Sequence, residues 1–450
     1  MTRGAGGGQR VAPARAAAYE VLRAVGSGAA DLPHALAHAR ARLNDERDRA
    51  LAGEIAAGTL RWQAAFDHIV AAIAKRPIAR LDAEVADILR MGMFQLLHLD
   101  RVPASAVVHD AVSLTRVAGK RSAAPLANAV LRRVSRERSH LPLPPKPDTP
   151  DDRDRALDYL SISLSHPRWL AARWLDRHGF DAAESWTRFN NQPARLTLRV
   201  NTLKTTRDAA IDLLRSNGVE VEPARFARDG LVVVKGNPLL TSVAHDGLFF
   251  VQDEASQLVA ALVSAAPGDR VLDACASPGG KTIAIAAAMQ DRGLIVAADV
   301  RARRVDLLRR TVRESGAASI RIVRGDATAL PFRSSTSSDR GERFDWVLLD
   351  APCSGLGTIR RDPDLKWKRR EAELHTFAAA QLRMLRETAR VLRPGGRLIY
   401  STCSSEPEEN EDVVHTFLGE GGFARAAPDF RTYPFRDELE AFFGAVLIKT

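Results

Sequence analysis

The stretch Asp273-Ala274-Cys275-Ala276-Ser277-Pro278-Gly279-Gly280-Lys281-Thr282 decides the fold of the C-terminal half of this chain. The short run Arg270-Val271-Leu272 precedes it, and the Ala/Ile-rich segment Ile283 to Met289 follows it. This order predicts a buried strand, a tight glycine turn and the first turns of a helix. In a parallel α/β sheet, ligands bind at such a junction, at the carboxyl end of the strand.

Three nucleotide-type ligands are compatible with a glycine turn of this kind. A phosphate-binding P-loop needs Gly-x-x-x-x-Gly-Lys-[Ser/Thr]; Gly280-Lys281-Thr282 fits its end, but Cys275 stands at its first glycine. The dinucleotide fingerprint Gly-x-Gly-x-x-Gly is also absent. S-adenosylmethionine remains, because its sulfonium centre and amino group are cationic and suit the carboxylate of Asp273 better than a phosphate does.

A second carboxylate follows the next apolar run, Leu294 to Ala298, at Asp299. At the end of the second strand, this residue is placed to accept hydrogen bonds from both ribose hydroxyls, as the acidic residue of dinucleotide folds does. The alternative is that Asp299 only caps the helix that follows.

Composition narrows the class of protein. A chain of 450 residues is too long for one ordinary core, so we expect two or three domains. Hydrophobic residues make up 45% and charged residues 27%, no run of 18 apolar residues occurs, and residues 1–10 lack the apolar core of a secretory signal. The net charge of +10 favours a polyanionic partner.

The cysteine count points to a reducing compartment. The three cysteines, Cys275, Cys353 and Cys403, are too few for a disulfide framework, and their spacing is not that of a zinc site. We therefore expect a cytoplasmic protein without a bound metal.

Residues 13–140 are predicted to form an all-helical domain. Ala18, Val21, Leu22 and Val25 fall on one helix face. Residues 1–140 contain 21 Lys and Arg against 13 Asp and Glu, so about +8 of the net charge lies here. The arginines at 132, 133, 136 and 138 either form a solvated helix face or contact phosphates.

This region resembles the NusB-like RNA-binding domain. The resemblance rests on five short matches and covers nearly the whole segment: Asp48 to Leu51, Gly58 to Arg61, Met91 to Leu97, Val102-Pro103 and Ala127 to Arg133. Domains of that family are helical and bind RNA or partner proteins, so the resemblance implies an RNA-binding role for residues 13–140.

A proline-rich linker, Leu141 to Asp152, follows. Residues 153–241 are predicted to form a small α+β connecting module, helical from Leu160 to Phe189, with strands at Arg195 to Asn201 and Leu231 to Val234. From 245 to 450, strand and helix signals alternate, as in a doubly wound α/β domain. The fold class predicted for the whole chain is therefore α/β with an all-α N-terminal domain.

Two further strand-end motifs bring in acids and thiols. Asp350-Ala351-Pro352-Cys353-Ser354-Gly355 ends the predicted fourth strand and Ser401-Thr402-Cys403-Ser404 the fifth, so two thiols and an acid should meet at the carboxyl edge of the sheet. Asp326, after the third strand, is placed to accept the exocyclic amine of adenine; otherwise it is a helix cap.

These motifs, in this order, resemble the Sun/RsmB family of bacterial 16S ribosomal RNA (cytosine-5) methyltransferases. The segment after Pro352-Cys353, with Arg360, Asp362, Pro363, Lys366 and Trp367, resembles that family, as does Asn201. With the NusB-like part, coverage is about 13–450. One departure is Glu440 to Phe443, where the family commonly has Asp-Gly-Phe-Phe, which leaves the geometry of that turn open.

The resemblance implies a class I, Rossmann-like methyltransferase domain that uses S-adenosylmethionine and acts on small-subunit ribosomal RNA. It implies Cys403 as the nucleophile, Cys353 as the thiol that assists product release, and Asp350 as the group that contacts ring nitrogen 3. The predicted cofactor contacts are Asp273, Cys275, Ala276, Ser277, Pro278, Gly279, Gly280, Lys281, Asp299, Arg304, Asp326 and Asp350.

The residue types agree with this chemistry, because a thiol, a second thiol and an acid are what addition, proton transfer and elimination at a cytosine ring require. Two other functions stay open from the sequence: the same reaction on transfer RNA, and a catalytically idle RNA-binding protein. The intact cysteine motifs argue against the second. We expect a monomer.

Overall fold

The computed structural model describes residues 11–149, 152–332 and 343–450. The first ten residues fall outside this range, as do residues 150 and 151 of the predicted linker and residues 333–342. The described chain divides into two compact units. Unit 1 comprises the described residues up to Pro193 together with Ile359–Lys368, and unit 2 comprises Ala194–Thr358 and Arg369–Thr450.

The helices of the described residues are α1 (Pro13–Gly26), α2 (Leu32–Arg40), α3 (Glu46–Arg61), α4 (Gln63–Ala74), α5 (Ala83–His98), α6 (Ala104–Val117), α7 (Ala124–Arg136), α8 (Arg153–Asp158), α9 (Arg168–His178), α10 (Phe180–Asn191), α11 (Arg207–Ser216), α12 (Glu254–Ala261), α13 (Gly280–Ala288), α14 (Ala302–Ser315), α15 (Leu365–Lys368), α16 (Leu374–Arg390), α17 (Glu411–Gly419) and α18 (Pro434–Asp437).

The strands are β1 (Thr197–Val200), β2 (Glu220–Pro223), β3 (Gly230–Lys235), β4 (Phe249–Val251), β5 (Arg270–Asp273), β6 (Leu294–Asp299), β7 (Ile320–Arg324), β8 (Phe344–Asp350), β9 (Leu392–Thr402), β10 (Phe423–Arg425), β11 (Phe430–Arg431) and β12 (Phe443–Lys449). Short 3₁₀ turns lie at Ile78–Arg80, Arg121–Ala123, Pro238–Leu240, Leu356–Thr358, Glu371–Glu373 and Pro407–Glu409.

Unit 1 is helical, as predicted for the N-terminal part. The apolar positions that recur along α1, including Val21 and Leu22, are buried, and they join residues of α3, α5, α6 and α7 in one core. Because the buried residues recur every three or four positions, each helix presents one apolar face to this core and a charged face to solvent.

The stretch from Leu160 to Phe189, predicted to be helical, is interrupted twice. A π-helical turn, Tyr159–Ser163, follows α8, and α9 begins only after Pro167. Proline has no N–H and disfavours the helical conformation in the residue before it, which explains the first break. Gly179, with φ of +80°, separates α9 from α10.

A second feature of unit 1 is the segment Ile359–Lys368, which is remote in sequence from the rest of the unit. The fully buried Lys366 ammonium donates to the carbonyls of Arg61 and Ser165 at 2.8 and 2.5 Å, and the Trp367 indole N–H donates to the Leu60 carbonyl at 2.7 Å. Burial, followed in size by the charge of Arg61, lowers the pKa of Lys366 well below its ordinary value. These hydrogen bonds satisfy a cation that would otherwise be costly to bury.

Unit 2 contains two sheets. The smaller one is antiparallel, in the order β2-β3-β1-β4, with α11 between β1 and β2 in the chain. The Asn201 amide joins it to the larger domain by donating to the carbonyls of Gly247 and Ser315 at 2.8 and 2.9 Å. The predicted connecting module, residues 153–241, thus has α8, α9 and α10 in unit 1, whereas α11 and the strands β1, β2 and β3 lie in unit 2.

The larger sheet has the order β10-β12-β9-β8-β5-β6-β7, with β11 paired to β12. Strands β5 to β9 are parallel, and β10, β11 and β12 are antiparallel to their neighbours. The predicted doubly wound α/β fold is therefore confirmed. The chain passes from β5 outward to β6 and β7 and then returns to the other side of β5 as β8, so a topological switch point lies between β5 and β8.

Candidate active site

The glycine turn lies at this switch point. Asp273 and Asp350 are the last residues of the neighbouring strands β5 and β8, and the turn leads from β5 into α13. A cleft at this edge is lined by Val251, Gln252, Ser256, Asp273, Cys275, Ala276, Ser277, Pro278, Gly280, Lys281 and Asp350. Most of the predicted cofactor contacts thus meet in one cleft; Gly279, Asp299, Arg304 and Asp326 are not among its lining residues.

Asp273 has an unsatisfied carboxylate oxygen. Its side chain is 1% exposed, and Oδ2 accepts a hydrogen bond from Thr282 Oγ1 at 2.7 Å. Within the described residues, Oδ1 is buried with no hydrogen-bond partner. Burial raises the pKa of Asp273 from 3.8 to about 7, and the neighbouring Asp350 adds to that rise. A cationic donor bound at Oδ1 would satisfy this oxygen and restore the ionised form, so the site fits the amino group of S-adenosylmethionine.

Asp299 holds the far side of the glycine turn. Its buried carboxylate accepts the backbone N–H groups of Ser277 and Arg301 at 3.3 Å each and lies 3.6 Å from Arg304 Nε. Arg304 Nη2 in turn donates to the Ser277 carbonyl at 3.0 Å. Asp299 therefore contacts both the glycine turn and the residue before α14. Its predicted contact with the ribose of the cofactor stays a prediction.

Gly279 gives the turn its shape. It has φ of +106°, and a Cβ at this position would lie 2.9 Å from Leu308 Cδ1. A left-handed conformation and a close neighbour both favour glycine here. The turn thereby presents the first N–H groups of α13 at the carboxyl edge of the sheet.

Asp326 lies in an exposed turn outside the cleft lining. Its carboxylate accepts the Thr328 N–H at 2.8 Å and the Thr328 hydroxyl at 2.7 Å, and these hydrogen bonds lower its pKa. Its predicted contact with adenine stays a prediction.

The two thiols predicted to be catalytic lie side by side. In the parallel pair β8 and β9, Asp350 is opposite Ser401, so the loops that follow carry Cys353 and Cys403 to the same place. Their Sγ atoms are 3.3 Å apart, and both residues are partly buried. The hydrogen bond with Cys403, together with burial, raises the pKa of Cys353 well above its ordinary value. Cys353 is therefore held as a neutral thiol next to Cys403.

Lys281 and Asp350 form a partly buried ion pair beside the thiols. Lys281 Nζ donates to Asp350 Oδ2 at 2.6 Å, and the Ser401 hydroxyl donates to Oδ1 at 2.9 Å. Burial lowers the pKa of Lys281, but the Asp350 carboxylate outweighs burial and the net pKa is raised. Lys281 was predicted as a cofactor contact; its ion pair with Asp350 is an additional feature that spacing in the sequence did not indicate.

Glu409 is a functional candidate that the sequence analysis missed. This fully buried carboxylate accepts the Ser354 N–H at 2.8 Å and also the hydroxyls of Ser354 and Ser404. Ser354 follows Cys353 and Ser404 follows Cys403, so one side chain holds both thiol loops. Gly357 adds a backbone link, because its N–H donates to the Cys403 carbonyl at 2.9 Å.

Comparison with known proteins identifies the families that this chain resembles. Family models match in three places: the 16S rRNA methyltransferase RsmB/F over residues 260–448, the NusB family over 12–136, and the ferredoxin-like domain of RsmF/B-like methyltransferases over 166–239. The ribosomal RNA small subunit methyltransferase B of Pseudomonas putida is 36% identical over 416 residues, which cover 91% of this chain and 90% of that protein.

The chain belongs to the RsmB family of 16S ribosomal RNA methyltransferases. The ribosomal RNA small subunit methyltransferase B of Vibrio vulnificus is 31% identical to this chain. The match covers 97% of this chain and 99% of that protein. Among solved structures, the protein PH0851 has a TM-score of 0.79 and 27% identity, with 98% of this chain and 99% of that one covered.

Membership in the RsmB family confirms several predictions. The fold is a NusB-like domain, a ferredoxin-like module and a Rossmann-like methyltransferase domain, and the cofactor is S-adenosylmethionine. The chain is a ribosomal RNA methyltransferase. Within the part of the chain that the structure describes, no helix is long and apolar enough to cross a membrane, and no group of three His, Cys, Asp or Glu side chains is arranged to bind a metal ion.

Proposed function

We propose that this chain methylates carbon 5 of one cytosine in 16S ribosomal RNA through a covalent bond between Cys403 and carbon 6 of the base. The observation that supports it most directly is the pair of thiols 3.3 Å apart, which follow Asp350 and Ser401 at the carboxyl edge of the sheet. Asp350 also lines the cleft that fits the cofactor, so thiols and methyl donor would act on one base.

The reaction needs an activated carbon 5. Cys403 Sγ, as thiolate, forms a bond to carbon 6, and the ring electrons move toward carbon 5 and nitrogen 3. S-adenosylmethionine supplies an electrophilic methyl group. Once carbon 5 is methylated, the proton that remains on it is transferred to a proton acceptor, the ring double bond re-forms, and the Cys403 thiolate is expelled. The target cytosine must be single-stranded or leave its stack to reach the thiols.

The remaining side chains have separable roles in this proposal. Cys353 assists the release of the methylated base, for which its neutral thiol next to Cys403 is suited. Asp350 accepts a hydrogen bond from the exocyclic amino group of the cytosine or, through a protonated carboxyl, donates one to nitrogen 3, and Lys281, paired with it, fixes the side chain in place. Glu409 keeps the two thiol loops at a fixed separation.

The domain roles follow the predicted division of the chain. Residues 13–140 bind RNA, residues 153–241 connect, and residues 245–450 carry out methyl transfer. The protein acts as a monomer in the cytoplasm, where ribosomal RNA is made and modified in bacteria. The basic character of residues 1–140 supports the first of these roles.

Bisulfite sequencing of 16S ribosomal RNA and transfer RNA tests this function in a strain that lacks the gene. One 16S cytosine should lose its protection, and wild-type protein but not Cys403→Ala should restore it. If a cytosine of transfer RNA alone lost its protection from bisulfite conversion, transfer RNA would be the substrate of the same reaction. If no cytosine changed in either RNA, the proposed methylation of carbon 5 of cytosine would be wrong.

A further inference from the structure

The NusB-like domain has a groove between α6 and α7, outside the catalytic unit. It encloses about 460 Å³ and is lined by Ala104, Ser105, Val108, His109, Val112, Ser113, Arg116, Asn128, Arg132, Ser135 and Arg136. No carboxylate is among these lining residues, whereas three arginines are. The groove is therefore a concave, positively charged surface.

The three arginines that line the groove have no acidic partner among the described residues. Over the described residues, Arg116, Arg132 and Arg136 form no ion pair, and all three are exposed. Arg132 Nε donates only to the neutral Asn128 side chain, at 2.9 Å. By contrast, Arg133 on the same helix pairs with Glu137 at 2.9 Å. The sequence cluster at 132–138 is thus divided into groove and non-groove arginines.

The acid that follows the lining residue His109 does not neutralise the groove. Asp110, next to His109, is buried and pairs with Arg15 at 2.7 Å, while it also accepts the Ala12 N–H. His109 Nδ1 lies 3.3 Å from the same carboxylate. Since Asp110 is already matched by a cation, the positive charge of the three groove arginines is left for an external anion.

We infer that this groove binds the phosphodiester backbone of the substrate RNA. Arg132 and Arg136 are one helical turn apart on the same face of α7, about 6 Å along its axis, and Arg116 faces them from α6. Guanidinium groups bind phosphate oxygens with paired hydrogen bonds, and the hydroxyls of Ser105 and Ser135 offer additional donors. The identity of the ligand rests on the proposed ribosomal RNA substrate; the location of the groove does not.

An acidic protein segment fits the lining less well. Protein interfaces are anchored by large aromatic and apolar side chains in a desolvated centre. Apart from His109, the side chains that line the groove are small, polar or basic, with Val108 and Val112 as its largest apolar members. A polar backbone with regularly spaced phosphates matches this lining better.

The test uses the full-length chain and protein-free 16S ribosomal RNA, with binding measured by fluorescence anisotropy between about 50 and 200 mM KCl. In Arg116→Gln/Arg132→Gln/Arg136→Gln, affinity should fall at every salt concentration. The slope of log affinity against log salt should decrease by about 2 to 3, since each phosphate contact contributes about 0.7 to 0.9.

A matched control has the same change of charge outside the groove. Arg101, Arg121 and Arg133 are exposed residues of the same domain that do not line it. Arg101→Gln/Arg121→Gln/Arg133→Gln should keep a slope close to that of the wild type. If the slope of log affinity against log salt decreases equally in the two triple variants, RNA binding depends on net charge and not on the groove, and the inference is wrong. If the groove variant binds RNA like the wild type, the groove serves another ligand and the inference is also wrong.

Two independent measurements show whether the substitutions affect folding or the cofactor site instead of RNA binding. The affinity for S-adenosylhomocysteine and the thermal midpoint should match the wild type in both variants. If the groove triple variant unfolds, the single change Arg136→Gln should lower the slope by about 0.7 to 0.9. If bisulfite sequencing supports cytosine methylation while both variants keep the wild-type slope, only the groove assignment fails. If the groove variant loses slope and the control does not, while bisulfite sequencing finds no methylated cytosine, only the proposed function fails.

Discussion

The sulfur atoms of Cys353 and Cys403 lie 3.3 Å apart, although 50 residues separate them in the chain. If both thiols act on one base, as we propose, their roles give opposite outcomes when each is removed. Cys403→Ala should lose turnover and form no covalent adduct with RNA, because no bond to carbon 6 can form. Cys353→Ala should also lose turnover but accumulate an adduct, since addition and methylation proceed while release stalls.

A denaturing gel with labelled RNA and S-adenosylmethionine distinguishes these outcomes. The double variant Cys353→Ala/Cys403→Ala, which should form no adduct, serves as the control. An adduct in Cys403→Ala and none in Cys353→Ala would reverse the assignment of the two thiols.

Asp299→Ala should weaken the binding of S-adenosylmethionine by roughly 1–3 kcal/mol, or about 5- to 150-fold. The change removes the carboxylate proposed to accept the ribose hydroxyls and leaves the Ser277 N–H without its partner. Isothermal calorimetry on the full-length protein measures this loss. Asp306→Ala, on the exposed side of α14, should bind like the wild type. Equal affinities for wild type and Asp299→Ala would remove Asp299 from the cofactor site.

Asp273 should make the stability of the cofactor-free protein dependent on pH. Burial raises the pKa of Asp273 to about 7, above its ordinary value of 3.8, so the folded protein holds this proton more tightly than the unfolded chain does. Its contribution to stability is therefore fully present below about pH 4 and is lost as the pH rises to about 7, by at most about 4 kcal/mol.

The isosteric variant Asp273→Asn isolates that contribution. The thermal midpoint of the wild type, relative to that of Asp273→Asn, should decline between about pH 4 and 7 and level off above. Saturating S-adenosylmethionine should reduce the decline, because a bound cation favours the carboxylate. A constant difference between the two midpoints over this range would contradict a raised pKa for Asp273.

Glu409→Ala should lower the rate of methyl transfer at least about tenfold while it leaves cofactor affinity unchanged. The change leaves the Ser354 N–H buried without its acceptor and frees the hydroxyls of Ser354 and Ser404, so the two thiol loops lose their common support. A buried group left unpaired costs about 1–3 kcal/mol. Glu409→Gln keeps one acceptor oxygen and should retain more activity than Glu409→Ala.

Single-turnover rates, cofactor affinity and adduct yield together check this prediction, with Asp412→Ala at an exposed position of α17 as the control. If Glu409→Ala lost only stability and methylated at the wild-type rate when folded, the carboxylate would be a structural residue without influence on the thiols.

The sequence predicts the catalytic sheet well because its parallel strands are buried and short. The runs Arg270–Asp273, Leu294–Asp299, Ile320–Arg324 and Phe344–Asp350 have the bounds expected from their apolar residues and from the acid or turn that ends each of them. Edge strands such as Phe423–Arg425 and Phe430–Arg431 were not predicted. Their two or three residues have too weak a pattern to separate them from a loop.

Contacts between distant residues were beyond sequence reasoning. Nothing in the spacing indicated that Glu409 would accept hydrogen bonds from the residues after both cysteines, or that Lys281 would pair with Asp350. Each requires the register between strands, which a single sequence does not specify. The one available signal was the acidic run Glu406 to Glu411, close to the Thr-Cys-Ser motif. The sequence does not indicate which of its several acids is buried.

The segment Ile359–Lys368 bears on how this protein can be divided. A fragment that starts at residue 245 would keep Lys366 and Trp367 but lose Arg61, Ser165 and Leu60, the residues whose carbonyls accept their hydrogen bonds. Such a fragment would expose the indole of Trp367 and the side chain of Lys366 in a segment that begins five residues after Ser354, close in sequence to the thiol of Cys353. The chain thus enters unit 1 twice, and a cut at residue 245 separates Ile359–Lys368 from the rest of the unit to which it belongs.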